Sequence, residues 1–117
     1  MTNRTIPCLL TITLALASAL MMTRPAAGQD AAKKGQDVYT AQKCQLCHAI
    51  AGKGNKSNPL DGVGAKLSAD DIKQWITHPV EAAAKAKSAK KPPMPAKFAS
   101  LPAGDIDALV AYMQSLK

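Results

Sequence analysis

Ala31, Gly35, Val38, Tyr39 and Gln42 recur at steps of three and four, placing one mostly apolar stripe on a helix over about residues 31–45. A second helix is announced by its start. Ser68 can accept a hydrogen bond from the backbone N–H of Asp71, and Leu67 just before that cap can pack on Ile72, a hydrophobic staple opening a helix that carries Trp75 and Ile76. Pro79 ends this helix or begins a short next one. The last helix is expected from about Pro102 to Leu116, with Ile106, Leu109, Val110, Met113 and Leu116 on one face and Tyr112 on its other contact edge. Between the first and second helices, residues 52–64 hold four glycines, two asparagines and Pro59, and read as loop. The Ala/Lys stretch 82–91 reads as helix fading into solvated loop, and Lys91-Pro92-Pro93-Met94-Pro95 must be extended because proline excludes helix there. No strand pattern is visible, so the fold class is all-α.

The first quarter of the chain does not fit that domain. Arg4 precedes a run from Cys8 to Met22, 15 residues without a charge, followed by Arg24 and the small residues Ala26, Ala27 and Gly28. A membrane-spanning helix needs about 20 apolar residues, so the run is read as a secretory signal peptide rather than an anchor, with cleavage near Gly28 and Gln29. The expected organisation is a leader over 1–28 and one domain over 29–117, periplasmic or otherwise exported and without stable membrane insertion. The alternative is an uncleaved N-terminal anchor.

Charge and cysteine usage narrow the chemistry. The whole chain has a formal net charge of +7; losing 1–28 removes Arg4 and Arg24 but no acid, leaving +5. Nucleic acid is not the expected partner, since export argues against it more strongly than a basic balance argues for it. Only Tyr39, Trp75, Phe98 and Tyr112 are aromatic, and a domain this short usually needs a disulfide, metal or cofactor to complete its core. With Cys8 in the leader, Cys44 and Cys47 are the remaining cysteines.

Cys44-Gln45-Leu46-Cys47-His48 is Cys-x-x-Cys-His, the attachment sequence of c-type haem, in which two thiols add to vinyl groups and the adjacent imidazole binds iron. On a helical turn, residues at i and i+3 share a face, so both sulfurs meet one porphyrin edge. A structural disulfide, a thioredoxin-like pair and half of a zinc site are the competing readings. The thioredoxin reading lacks a βαβ setting, and the zinc reading lacks ligands beyond His78. For the far side of the iron the candidate is Met94, pinned between Pro93 and Pro95 with no helix face to fill, whereas Met113 reads as core packing. His78 is the rival ligand, but it ends the Trp75 helix, where a surface histidine is usual.

Taken together, these features closely resemble class I cytochromes c, here in the form of a small bacterial mono-haem member. The likeness rests on the order of a leading helix, Cys44-x-x-Cys47-His48, a Gly-rich loop with Asn58-Pro59-Leu60, the stretch Trp75-Ile76-Thr77-His78-Pro79, Met94-Pro95, and a final helix ending Leu109-Val110-Ala111-Tyr112. The resemblance implies three to five helices around one covalently bound haem c. It implies that Pro59 and Trp75 support the haem pocket, and that the Pro59 carbonyl accepts from the free ring nitrogen of His48. It also implies a tight crossing of first and last helices through Gly35, Tyr39, Leu109 and Tyr112.

The implied function is an electron carrier, not an enzyme: single electrons pass between redox partners through a His48/Met94-ligated iron. The alternative is a dedicated haem subunit of a periplasmic dehydrogenase complex. A peroxidase-like or gas-binding protein would need an open sixth position, which Met94 argues against. Lys85, Lys87, Lys90, Lys91 and Lys97 bracket Met94, so partners with acidic docking surfaces are expected; the plainer reading is a solvated basic face.

Overall fold

A computed structural model describes residues 26–117. The leader expected over 1–28 therefore lies outside the described residues, apart from Ala26, Ala27 and Gly28, which form the exposed first turn of a helix. Five helices follow in chain order: α1 (Ala26–Ala41), α2 (Val63–Lys66), α3 (Ala69–Thr77), α4 (Pro79–Lys85) and α5 (Ala103–Ser115), with short 3-10 turns at Cys44–Leu46 and Ala96–Ser100. The all-α reading holds.

Local signals act where expected at α3. Ser68 Oγ accepts from Asp71 N at 3.1 Å and donates to the Asp71 carboxylate at 2.7 Å, a reciprocal cap that also sets acidic residues at the positive end of the helix. His78 closes α3 and opens α4, where Pro79 takes the first helical position and so costs no hydrogen bond.

Elsewhere tertiary context shifts the boundaries. The first helix stops at Ala41 rather than 45, because Lys43 turns left-handed (φ 56°) and the chain tightens into the 3-10 turn at Cys44. The expected loop over 52–64 contains the start of α2 and one strand of a minimal hairpin. Its strands, β1 (Ala49–Ile50) and β2 (Lys53–Gly54), pair antiparallel with Ile50 opposite Lys53. Ala51 and Gly52 between them are both left-handed (φ 51° and 75°), the requirement of a two-residue turn matching strand twist. The Asp61 carboxylate accepts from Ala51 N at 2.8 Å and holds that turn. Four residues of strand carry no periodicity, so the sequence pattern does not announce them.

The core gathers Tyr39, Ile72, Ile76, Phe98, Ile106, Leu109 and Met113 from α1, α3, the second 3-10 turn and α5. Met113 is core packing, as its helix face predicts. The crossing of α1 and α5 is closest at Gly35, where any Cβ would meet the Ala108 carbonyl oxygen and lie 2.6 Å from the Tyr112 Cβ. Tyr39 and Tyr112 meet edge to face there, with centroids 5.8 Å apart and planes at 72°. Leu109 joins Tyr39 in the core, and the Ala108 backbone is what approaches Gly35. A second close approach carried no sequence signal: Gly64 of α2 lies against the Met113 and Gln114 carbonyls, while Gly64 N donates to Leu116 O at 2.8 Å. This pins α2 to the end of α5.

Exposed ion pairs Lys34–Asp105 (2.9 Å), Lys73–Asp107 (2.9 Å) and Lys85–Asp71 (3.2 Å) link α1 to α5, α3 to α5 and α4 to α3. Such pairs contribute about 0–1 kcal/mol each, so packing and not charge holds the helices together. No helix among the described residues is long and apolar enough to cross a membrane.

Candidate functional site

The turn at Cys44–Leu46 brings the chemistry together. Cys47 N and His48 N both donate to Cys44 O, at 3.1 and 3.0 Å. In a 3-10 turn, residues at i and i+3 eclipse, so Cys44 and Cys47 line up along one edge more directly than on an α-helix. Both thiols are free, Cys47 at the surface and Cys44 half-buried against the core. Burial pushes the Cys44 thiol above its ordinary pKa.

His48 follows as a half-buried ring. Burial lowers its pKa below the usual imidazole value, against the opposing pull of the Asn58 carbonyl, so the ring is neutral as a metal ligand must be. Its hydrogen bonds run through Nδ1, which faces Asn58 O at 3.2 Å and the Asn58 amide nitrogen at 3.1 Å. With Nδ1 engaged, Nε2 is the nitrogen suited to iron.

The Nδ1 contact is made with Asn58, the residue before Pro59. The carbonyl facing His48 belongs to Asn58, because Pro59 bridges Ala49 in parallel and Leu60 N donates to Ala49 O at 2.8 Å. That pairing turns the Pro59 peptide along β1 and leaves the preceding carbonyl toward the ring.

The segment after the turn is stitched to it. Asn55 N donates to Gln45 O (3.1 Å) and His48 O (3.0 Å), Ala49 N to Asn58 O (3.3 Å), and the Tyr39 hydroxyl reaches His48 O at 3.4 Å. Burial, with nearby acidic groups adding to it, pushes the Tyr39 phenol up to about 12. Sequence reasoning missed the parts of Asn55, Asn58 and the Tyr39 hydroxyl; the available signal was the turn-forming asparagines beside Pro59.

Met94 is half-buried in the extended proline segment and packs against the same apolar core as Cys44. The remaining candidates lie apart. Trp75 lines a groove between α3 and α4 with Leu67, Gln74, Ala82 and Ala86, and neither the cysteines, His48 nor Met94 borders it. His78 is exposed at the α3–α4 junction, its Nδ1 2.8 Å from Thr77 Oγ1. Of the lysines, Lys85 pairs with Asp71, Lys97 lies over the Phe98 ring at 5.1 Å, and Lys90 donates to Ser57 O at 3.0 Å, tying the Met94 segment to the Asn58 segment.

This donor set fits a covalently attached haem: two free, aligned thiols, a neutral imidazole oriented through Nδ1, and an apolar wall carrying a thioether. It does not fit a structural zinc site, since no three His, Cys, Asp or Glu side chains come together among the described residues.

No curated protein and no solved structure matches the chain. The model of the family described as Cytochrome c matches residues 32–117, nearly the whole of the described fold. The chain thus belongs to the cytochrome c family, the electron-transfer proteins that carry covalently bound haem c.

Proposed function

We propose that residues 29–117 form an exported mono-haem cytochrome in which Cys44 and Cys47 hold the haem, His48 and Met94 ligate its iron, and single electrons pass to and from proteins with acidic docking surfaces. The observation that carries the ligand assignment is the packing of Cys44 and Met94 against one apolar core, while His48 keeps a neutral ring anchored through Nδ1.

When bound, the haem supplies an iron that alternates between ferrous and ferric forms. The chain's part would be to hold the His48 and Met94 donors in place, so that little rearrangement would accompany each step. His48 is restrained by Asn58 and by its own carbonyl, which accepts from Asn55 and Tyr39. Met94 is restrained by the prolines on either side, which limit the backbone to extended conformations. A thioether donor favours the ferrous state and raises the potential. Exposed Leu46 and Cys47 and the neighbouring lysines supply a surface for partners, with the positive charge steering association and salt screening it.

Met94→Ala tests the ligand set. The variant should bind carbon monoxide or cyanide, lose the weak sulfur-to-iron band at the red end of the ferric spectrum, and show a lower potential. Met113→Ala should disturb only packing. A Met94→Ala protein that kept a six-coordinate low-spin spectrum and its original potential would overturn the assignment and make His78 the ligand to examine.

A further inference from the structure

His48 Nδ1 has two neighbours from a single residue, the Asn58 main-chain oxygen at 3.2 Å and the Asn58 side-chain nitrogen at 3.1 Å. These contacts require opposite tautomers. The carbonyl accepts only from a protonated Nδ1, whereas the amide N–H donates only to a bare one. A metal-free neutral ring satisfies either. Once Nε2 gives its lone pair to iron, the ring proton must sit on Nδ1, and an amide N–H facing it becomes repulsive. A half-turn of the amide exchanges two nearly isosteric atoms and sets Oδ1 there as an acceptor.

We propose that Asn58 is the positioning residue of the axial imidazole, with a side-chain amide that turns to present Oδ1 to His48 Nδ1–H and thereby lowers the reduction potential. The inference rests on His48 being the iron ligand. Neighbouring hydrogen bonds fix the backbone that bears the amide. Asn58 N donates to Asn55 O (3.3 Å), Asn58 O accepts from Ala49 N (3.3 Å), Lys90 holds the preceding Ser57 carbonyl (3.0 Å), and Pro59 restricts the following peptide. The main-chain oxygen is already shared with Ala49, so it is a divided acceptor. A second acceptor on Nδ1–H draws the proton from the ring, makes Nε2 a stronger donor and favours ferric iron. Any residue at 58 would offer the carbonyl; only the side chain makes the strength of the hydrogen bond depend on the residue type.

The test uses the haem-loaded protein with Asn58→Leu and Asn58→Asp, the second isosteric with the native residue and a stronger acceptor. The potential should rise in the leucine variant and fall in the aspartate variant, and the His48 Nδ1–H proton resonance of the reduced protein should move upfield in the first and downfield in the second. Shifts of potential in the same direction, or a fall in the aspartate variant without movement of the Nδ1–H resonance, would overturn the proposal by assigning the effect to folding or to distant charge. Should the leucine variant fail to load haem, the paired readouts of the aspartate variant decide alone. Hyperfine-shifted His48 ring signals in the ferric protein mark ligation separately; their absence would bring down the ligand assignment and this inference with it.

Discussion

The two segments that carry the candidate iron ligands are held by different means. The His48 side, from Cys44 to Asp61, is bound by backbone hydrogen bonds: a 3-10 turn, a two-residue ladder, and Asn55, whose N–H ties the returning chain to the carbonyls of Gln45 and His48. The Met94 side, from Ala86 to Pro95, has no ladder. Its order comes from three prolines, from Met94 against the core, and from Lys90 reaching across to Ser57. The first kind of order is paid for by contacts in the folded state. The second lies largely in what the unfolded chain cannot do, because proline removes conformations in advance. A ligand held in the first way should be hard to displace without loss of structure, and one held in the second should be replaceable.

The sharpest way to break that comparison is to remove each ligand. His48→Ala takes away the imidazole and its link to Asn58, and haem-loaded protein should fall to a small fraction of the wild-type yield, whereas Met94→Ala should load haem at near-normal yield. Equal yields, measured by haem-stained gels and absorbance, would erase the distinction.

Next in size is Gly54→Ala. Gly54 has φ +103°, and a Cβ there would meet the His48 carbonyl and sit 2.9 Å from Gln45 O. Left-handed strain and overpacking together should cost about 1–3 kcal/mol, or several degrees in Tm by calorimetry. An unchanged Tm would mean that the stitched segment tolerates displacement after all.

A pH profile sharpens the same contrast from the anchor beneath His48. The Tyr39 phenol, raised to about 12 by burial, keeps its proton in the folded protein over a range where the unfolded chain has lost it. Its contribution to stability should therefore be complete below pH 10 and vanish as pH rises through about 12. In denaturant titrations Tyr39→Phe should flatten this alkaline decline; an equally steep decline in that variant would place its origin elsewhere.

The smallest effect is expected on the other side. Pro93→Ala should destabilise by only about 0.4–1 kcal/mol, acting through the unfolded chain, yet it should weaken the hold on Met94 and speed the binding of cyanide to ferric protein. A large loss of stability with unchanged cyanide binding would show that the proline segment is held by native contacts instead.

Legibility in the sequence divided along the same line. Signals confined to one turn came through: the Ser68 cap, Pro79 at the start of α4, the apolar face of α5, the extended prolines around Met94, and the Cys44–His48 motif itself. Each rests on interactions within four or five residues, or on a covalent constraint. Which carbonyl faces His48 Nδ1 was not legible, because the orientation of the Asn58 peptide depends on the bridge of Pro59 to Ala49. Gly64 was read as loop although its place against α5 makes it part of a buried contact. The place of Trp75 in the α3–α4 groove depends on how α4 folds back beside α3, which no local pattern gives.

By itself the sequence determined the class of fold, the order of the helices, the covalent chemistry open to Cys44 and Cys47, and a methionine that no helix face could claim. These follow from periodicity, capping and backbone restriction, which are local. Tertiary structure decided which backbone touches which: Gly35 against Ala108, Gly64 against Gln114, Asn58 beside His48, and Lys90 across to Ser57. Those choices arise when distant segments compete for the same space and the same hydrogen-bonding groups, and no single segment carries the information to settle them.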